Sequence, residues 1–241
     1  MLLRRERELV VEHCRMLATH KLTKGTGGNI SALDREKRLF AISPSGMDYF
    51  AMQPEDVVVL DLDGKTVDGE RRPSSEMDMH RLLYVDREDI NAVVHAHSTY
   101  ATTLACLHWS LPALHYLIGY AVSRGPTNTS EASKESCQSL SAHASSARGD
   151  GVRCTPYAPF GSTELAEIAR DGMKGRYAVL LGNHGLLAAG PNMQYAFNAA
   201  EEIEFVCELY WRAKSVGDPV ILSEEDMNVA LEKFKTYGQR A

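Results

Sequence analysis

The sequence lacks the cysteine patterns of disulfide frameworks and zinc ribbons. Its five cysteines are odd in number, far apart and form no CxxC pair: Cys14, Cys106, Cys137, Cys154 and Cys207. Such spacing is typical of reduced thiols. The first residues, MLLRRERELVVEHC, are charged from the start and contain no apolar signal core. Both absences favour a cytoplasmic protein over a secreted one.

The chain also lacks an excess of positive charge. Its formal net charge is -6 and its pI is about 5.9, so we expect no nucleic-acid partner. Residues 90–123 contain no Asp, Glu, Lys or Arg, but four histidines and Pro112 interrupt this stretch. A membrane-spanning helix needs about 20 predominantly apolar residues. We therefore expect a buried strand and helix here, and no membrane segment.

Periodicity along the chain predicts a mixture of helices and strands. Helical spacing near the start is shown by Leu9, Val10, His13, Cys14 and Leu17. NISAL, RLFAIS, VVVLDL and NAVVHAH are typical of short strands. YAVLLGNHGLLAAG predicts two strands around a turn, and two helices follow it. Because no strict βαβ rhythm appears, the pattern favours an α/β (α+β) fold with a largely antiparallel sheet. The length favours one domain over residues 1–241.

Residues 123–148 differ in composition from the rest of this domain. Eight serines lie between Ser123 and Ser146, with mixed charges and almost no large apolar residue. Such a segment buries too little surface to offset the entropy of ordering. We expect a passive, flexible surface insertion whose deletion leaves activity intact.

Three histidines and one glutamate are candidate metal ligands. His95 and His97 in NAVVHAH point to the same face of a strand, because side chains alternate along it. Two imidazoles on one face make half a zinc site, although structural histidines explain such pairs as well. His184 lies in the glycine-flanked turn GNHG, where glycine permits close approach of a ligand.

The glutamate is Glu76, which follows Ser74 and Ser75 at the predicted start of a helix. It could favour the helix dipole, close a cap, or act as a fourth ligand or general base. Three histidines with a carboxylate suit a catalytic zinc.

Three segments could hold an anion. GTGGN (residues 25–29) offers backbone amides, SPSG (43–46) offers hydroxyls in a turn, and PSSE (73–76) offers hydroxyls and free amides at a helix N-terminus. Each segment is also compatible with an ordinary turn or cap. GTGGN lacks the GxGxxG spacing of a dinucleotide site, and HExxH, the motif of many zinc hydrolases, is absent.

Taken in order, these motifs resemble the class II aldolase/adducin family. The matching segments are GTGGNIS, ISPSGM, RRPSSEMDMH, AVVHAHSTYAT, LPALHYLI, LLGNHGLLAAG and LEKFKTYG. Within the family the resemblance is strongest to the L-fuculose-phosphate aldolases. It covers nearly the whole chain except residues 123–148, where the pattern departs from the family.

The resemblance implies a fold, an assembly and a set of site residues. The fold is a central, mostly antiparallel sheet between helical layers, assembled as a homotetramer with active sites at subunit interfaces. One Zn²⁺ per subunit would be held by His95, His97, His184 and Glu76, with Glu76 alternating between ligand and acid/base. The phosphate of the substrate would lie against Gly28, Asn29, Ser45, Gly46, Ser74 and Ser75. Tyr116 matches a tyrosine from a neighbouring subunit, and Tyr237 one that closes over the substrate.

The reaction implied is zinc-dependent cleavage of a deoxyketose 1-phosphate, with L-fuculose 1-phosphate yielding dihydroxyacetone phosphate and L-lactaldehyde. Breaking a carbon–carbon bond beside a carbonyl leaves negative charge, which zinc stabilises as a Lewis acid. Three alternatives stay open: an L-ribulose-5-phosphate 4-epimerase-like enzyme, a methylthioribulose-1-phosphate dehydratase-like enzyme and a non-catalytic adducin-like interaction module. The metal-ligand set argues against the last of these.

Overall fold

The computed structural model describes residues 1–122 and 151–234. The helices are α1 (Arg4–Thr19), α2 (Met77–Asp86), α3 (Thr99–Cys106), α4 (Thr163–Gly172), α5 (Met193–Val216) and α6 (Glu224–Phe234). The strands are β1 (Asn29–Asp34), β2 (Leu39–Ile42), β3 (Val58–Asp61), β4 (Thr66–Asp68), β5 (Ala92–Ala96), β6 (Ala178–Leu181) and β7 (Gly185–Gly190). Among these helices, none combines the length and apolar character needed to cross a membrane.

The seven strands form one sheet in the order β4-β3-β2-β1-β5-β7-β6. Every neighbouring pair is antiparallel. Short turns join β1 to β2 and β6 to β7, and an antiparallel pair needs no longer connection. The expected antiparallel sheet is confirmed, and β5, the strand that carries His95, lies near its centre.

Helices cover both faces of the sheet, as expected. On one face α1, α3 and α5 pack against alternate strand residues such as Val94 and Ala96. On the other face α2 and α4 pack against the intervening residues, including Val93. The alternation of side chains along β5 therefore assigns odd-numbered residues to the α2 face.

Two elements were not predicted from the sequence. β4 has only three residues and lies at the sheet edge, so it is too short to show a period. α4 begins after Ser162, whose hydroxyl accepts a hydrogen bond from the backbone N–H of Leu165. Residues 123–148, the predicted insertion, lie outside the described residues.

Candidate active site

Two neighbouring parts of the sheet bring the three candidate histidines together. His95 lies in β5, His97 follows the end of that strand, and His184 lies in the turn between β6 and β7. Because Ala96 pairs with Leu186 across β5 and β7, this turn sits beside His97. One ring nitrogen from each histidine lies within 4.8 Å of the others.

The β6–β7 turn depends on a close backbone approach at Gly185. A Cβ atom on Gly185 would lie 2.5 Å from the carbonyl oxygen of Ala96 and 3.1 Å from Cδ2 of His97. Glycine is therefore required for the hairpin to reach β5. Asn183 in the same turn adopts a left-handed conformation, with φ of 53°, which Asn tolerates better than most residues. These two residues place the His184 ring against the other imidazoles.

The imidazoles are neutral and one has a defined tautomer. Nδ1 of His95 donates to the carbonyl oxygen of Leu186 at 2.9 Å, since a carbonyl can only accept. The lone pair on Nε2 of His95 therefore faces the cluster, 3.0 Å from Nε2 of His97. Burial, followed by the neighbouring imidazoles, holds the pKa of His95 well below its usual value. Burial also lowers the pKa of His97 and of His184. Neutral imidazoles are the form that binds metal.

Glu76 completes the cluster from a third direction. Its Oε2 lies 3.4 Å from Nε2 of His95 and its Oε1 lies 3.2 Å from Nε2 of His184. Glu76 occupies the N-cap position of α2, but its side chain makes no capping hydrogen bond. The capping alternative for Glu76 is therefore wrong.

Two buried polar atoms of this cluster have no hydrogen-bond partner among the described residues: Oε1 of Glu76 and Nδ1 of His184. Buried polar atoms are nearly always satisfied in folded proteins. A buried carboxylate oxygen without a hydrogen bond, beside imidazoles whose nitrogens converge, is the arrangement that a divalent cation completes. Three nitrogen donors and one oxygen donor suit a borderline ion such as Zn²⁺. The residues present therefore fit a metal.

A cavity of about 300 Å³ opens beside this cluster. His97, His184 and Glu76 line one side of it. All six predicted phosphate-binding residues line it as well: Gly28, Asn29, Ser45, Gly46, Ser74 and Ser75. The two serine loops are held together because the backbone N–H of Ser45 donates to Arg72 and that of Ser74 donates to Ser43. The structure thus joins three segments that are distant in sequence.

The amides at the start of α2 are less available than the sequence suggested. The N–H of Glu76 donates to Oγ of Ser74, and that of Met77 donates to the carbonyl oxygen of Ser74. The N–H groups of Ser74 and Glu76 within this segment are therefore occupied, and anion binding by the segment stays a prediction. An anion in this cavity would contact the hydroxyl groups of Ser45, Ser74 and Ser75.

Of the two predicted tyrosines, one is described. Tyr116 begins a 3₁₀ helix (Tyr116–Ala121) and is half exposed. It does not line the cavity of its own chain, but lines a separate groove together with Leu222 and Phe234. Tyr237 lies outside the described residues.

Sequence reasoning missed four residues around the site. Tyr157, Phe160 and Asn183 line the cavity, and His80 is buried behind it. Asn183 directly precedes His184, which was a usable signal. Tyr157 and Phe160 lie in an irregular segment without periodicity, so nothing local indicated their position.

Comparisons with known proteins agree with this geometry. The profile of the Class II Aldolase and Adducin N-terminal domain matches residues 8–211. A 5-deoxy-D-ribulose 1-phosphate aldolase of Bacillus thuringiensis serovar kurstaki is 48% identical over 240 residues, with 100% of each chain covered. A 5-methylthioribulose-1-phosphate/5-deoxyribulose-1-phosphate aldolase of Rhodospirillum rubrum is 36% identical, covering 96% of this chain and 92% of the relative.

Comparison with a solved structure also indicates an aldolase fold. An L-fuculose 1-phosphate aldolase superposes with a TM-score of 0.82 at 44% identity, covering 95% of both chains. The fold, the family profile and the long alignments agree over nearly the whole chain. The chain therefore belongs to the Class II Aldolase and Adducin N-terminal domain family and is a class II aldolase.

Proposed function

We propose that this chain cleaves the C3–C4 bond of a deoxyketose 1-phosphate in a zinc-dependent retro-aldol reaction. The observation that carries the proposal is the convergence of His95, His97, His184 and Glu76 at one side of a cavity lined by serine hydroxyls and glycines. Retro-aldol cleavage of a sugar phosphate requires a metal site at the reacting carbons and a pocket that binds the phosphate. The four ligand residues and the adjoining cavity could supply both.

The names of the relatives suggest three candidate substrates, of which 5-methylthioribulose 1-phosphate is named together with 5-deoxyribulose 1-phosphate for one relative. One similar protein is named for 5-deoxy-D-ribulose 1-phosphate and one similar structure for L-fuculose 1-phosphate. Cleavage between C3 and C4 gives dihydroxyacetone phosphate from both, with acetaldehyde from the first and L-lactaldehyde from the second. We propose 5-deoxy-D-ribulose 1-phosphate as the first substrate to test, since its relative aligns over the full chain at the higher identity.

Some of the site residues are proposed to bind the phosphate and others to transfer protons. The hydroxyls of Ser45, Ser74 and Ser75 orient the phosphate, and this remote binding holds the reacting carbons in place. A base takes the proton of the C4 hydroxyl, the C3–C4 bond breaks, and its electron pair stays on C3. Glu76, which has no hydrogen bond at Oε1, relays a proton from solvent to C3, and the base returns the proton of the C4 hydroxyl to solvent.

A divalent ion held by the three histidines and Glu76 would supply Lewis-acid stabilisation for the negative charge that develops beside the carbonyl. Zinc is proposed because the donors are imidazole nitrogens and a carboxylate oxygen.

The C4 base is proposed to come from a second subunit. Tyr116 is half exposed and does not line the cavity of its own chain, which is compatible with the role in a neighbouring subunit's site that the family resemblance implies. From the same resemblance we propose a homotetramer with active sites at subunit interfaces, and we propose a cytoplasmic location for it. The family resemblance assigns Tyr237 to closure over the substrate.

Release of dihydroxyacetone phosphate tests the proposal. Purified chain is incubated with each candidate substrate before chelation, after chelation and after zinc is added back. Release should depend on the metal, and Glu76→Gln should lower it by about 10²- to 10⁴-fold. Glu8→Gln is the matched control, because Glu8 is exposed on α1 and pairs with Arg4.

No release from the zinc-loaded wild type would overturn the aldolase proposal. Formation of an epimerised pentulose phosphate, or loss of water from methylthioribulose 1-phosphate, would then identify an epimerase or dehydratase. Release that is identical in Glu76→Gln would remove Glu76 from its assigned role.

A further inference from the structure

A continuous chain of buried hydrogen bonds runs behind the cavity from Tyr84 to Glu76. The hydroxyls of Tyr84 and Ser31 are 2.6 Å apart, and Oγ of Ser31 lies 2.6 Å from Nδ1 of His80. Nε2 of His80 lies 2.6 Å from Oδ1 of Asn29, and Nδ2 of Asn29 lies 2.9 Å from Oε2 of Glu76. Four hydrogen bonds thus connect α2 and β1 and end at the candidate acid.

The chemistry of the groups fixes the direction of each bond. A carboxylate only accepts, so the NH₂ group of Asn29 must face Glu76 and its carbonyl oxygen must face His80. His80 therefore donates from Nε2, and its Nδ1 accepts from the hydroxyl of Ser31. Tyr84 then donates to Ser31. Burial lowers the pKa of His80 to about 3, which agrees with a neutral ring carrying one proton on Nε2.

This direction has a consequence for the carboxylate. If a proton moved onto Oε2 of Glu76, the Asn29 amide would have to turn over to accept it. His80 prevents that rotation, because its Nε2–H needs an acceptor and a turned amide would present a second donor. Oε2 is therefore kept as an acceptor, and the orientation of the carboxylate is fixed, with Oε1 directed at Nε2 of His184, 3.2 Å away.

The polar residues that form this series of hydrogen bonds are costly to bury. Ser31 and His80 are fully buried, and Tyr84 is 1% exposed. Their neighbours on this face of the sheet are apolar, and Phe40 lies against the Tyr84 ring. Buried polar groups are tolerated only when each finds a hydrogen-bond partner. Apolar side chains would fill the same space without that requirement, so stability alone does not call for these polar residues. A role at the cavity accounts for the complete set of bonds.

We propose that His80 is a positioning residue that acts through Asn29 to fix the orientation of the Glu76 carboxylate, with Oε2 held as an acceptor. The inference rests on the proposed function, since it assumes that Glu76 is a metal ligand and acid. It adds Ser31, His80 and Tyr84 to the residues on which the site depends.

Metal affinity gives a readout that does not require turnover. Full-length chain stripped of metal is titrated with Zn²⁺ against a chromophoric chelator near neutral pH. His80→Phe should weaken Zn²⁺ binding by about 10- to 100-fold, the usual effect of losing a partner behind a metal ligand. His80→Gln should recover most of the affinity, because its side-chain NH₂ can replace Nε2–H as the donor to Asn29.

Two further variants separate the proposal from a general loss of structure. Ser31→Ala is nearly isosteric and removes the donor to Nδ1, so it should weaken binding by a smaller factor than His80→Phe. His13→Phe is the matched control, because His13 is a buried imidazole on α1, on the opposite face of the sheet. It should leave Zn²⁺ affinity and cleavage rate unchanged.

The outcomes distinguish this inference from the proposed function. Wild-type Zn²⁺ affinity in both His80→Phe and Ser31→Ala would overturn the inference and leave the aldolase proposal standing. Equal losses in His80→Phe and His13→Phe would assign the effect to folding and also overturn it. A wild-type chain that bound no divalent ion would overturn both proposals together.

Discussion

Burial sets the protonation state of the residues around the cavity. His80 and His95 are fully buried and both have a depressed pKa. The neutral imidazole has a different role in each of the two residues. In His95 it leaves a lone pair facing the metal cluster, whereas in His80 it leaves one donor and one acceptor for the chain of hydrogen bonds.

The low pKa of His80 predicts loss of stability in acid. The folded value is about 3 and an unfolded histidine titrates near 6.5. Between these values the unfolded chain binds the proton and the folded chain does not, so the free energy of unfolding falls as the pH falls from about 6.5. At about pH 5 the loss from this residue is ~2 kcal/mol.

Urea unfolding of metal-free protein near neutral pH and at about pH 5 measures this loss. His80→Gln cannot titrate, so it should lose less stability between the two conditions than the wild type. The other buried histidines are present in both proteins and cancel in the comparison. An equal loss in both would show that His80 is not a source of the acid sensitivity.

The β6–β7 hairpin has a tight packing requirement at Gly185. Gly185→Ala places a Cβ atom 2.5 Å from the carbonyl oxygen of Ala96 and 3.1 Å from the His97 ring. The hairpin must move away from β5, so we expect a loss of about 1–3 kcal/mol in unfolding free energy together with weaker Zn²⁺ binding.

Gly217→Ala is the control for this substitution. Gly217 follows α5 in an extended conformation, and its added Cβ would meet no atom within 4 Å. Thermal unfolding and Zn²⁺ titration of the two variants should therefore differ. Unchanged Zn²⁺ binding in Gly185→Ala would mean that the hairpin tolerates displacement without disturbing His97 and His184.

The elements also show what the sequence could and could not predict. His95, His97 and His184 were found because HxH on a strand and GNHG in a turn are local patterns. Ser31 and His80 were not found, although His80 lies four residues after Glu76 and Ser31 two residues after Asn29. Their contact depends on how α2 packs against β1, which is a long-range choice that no local pattern encodes.

At the scale of the whole molecule, each active site is proposed to contain residues from two subunits. The proposal predicts complementation between two inactive variants, Glu76→Gln and Tyr116→Phe. In hybrid tetramers some sites combine an intact Glu76 from one subunit with an intact Tyr116 from its neighbour. Random assembly of equal amounts in a fourfold ring should restore about one quarter of the wild-type activity.

Cleavage assays on co-expressed and separately expressed variants check this arrangement. Mixing the two purified homotetramers without subunit exchange is the control and should stay inactive. Absence of activity in verified hybrids would mean that both residues serve the same chain, contrary to the half-exposed position of Tyr116 outside its own cavity.

The pairing of β5 with β7, which brings the metal-ligand residues together, has a kinetic consequence for folding. His95 and its carbonyl partner at Leu186 are 91 positions apart in sequence, and β5 and β7 must be paired before His184 can reach the other ligands. Long-range pairing of this kind forms slowly. A bound ion should therefore act after the rate-limiting encounter, leaving the refolding rate nearly constant while it slows unfolding and lengthens the lifetime of the native state.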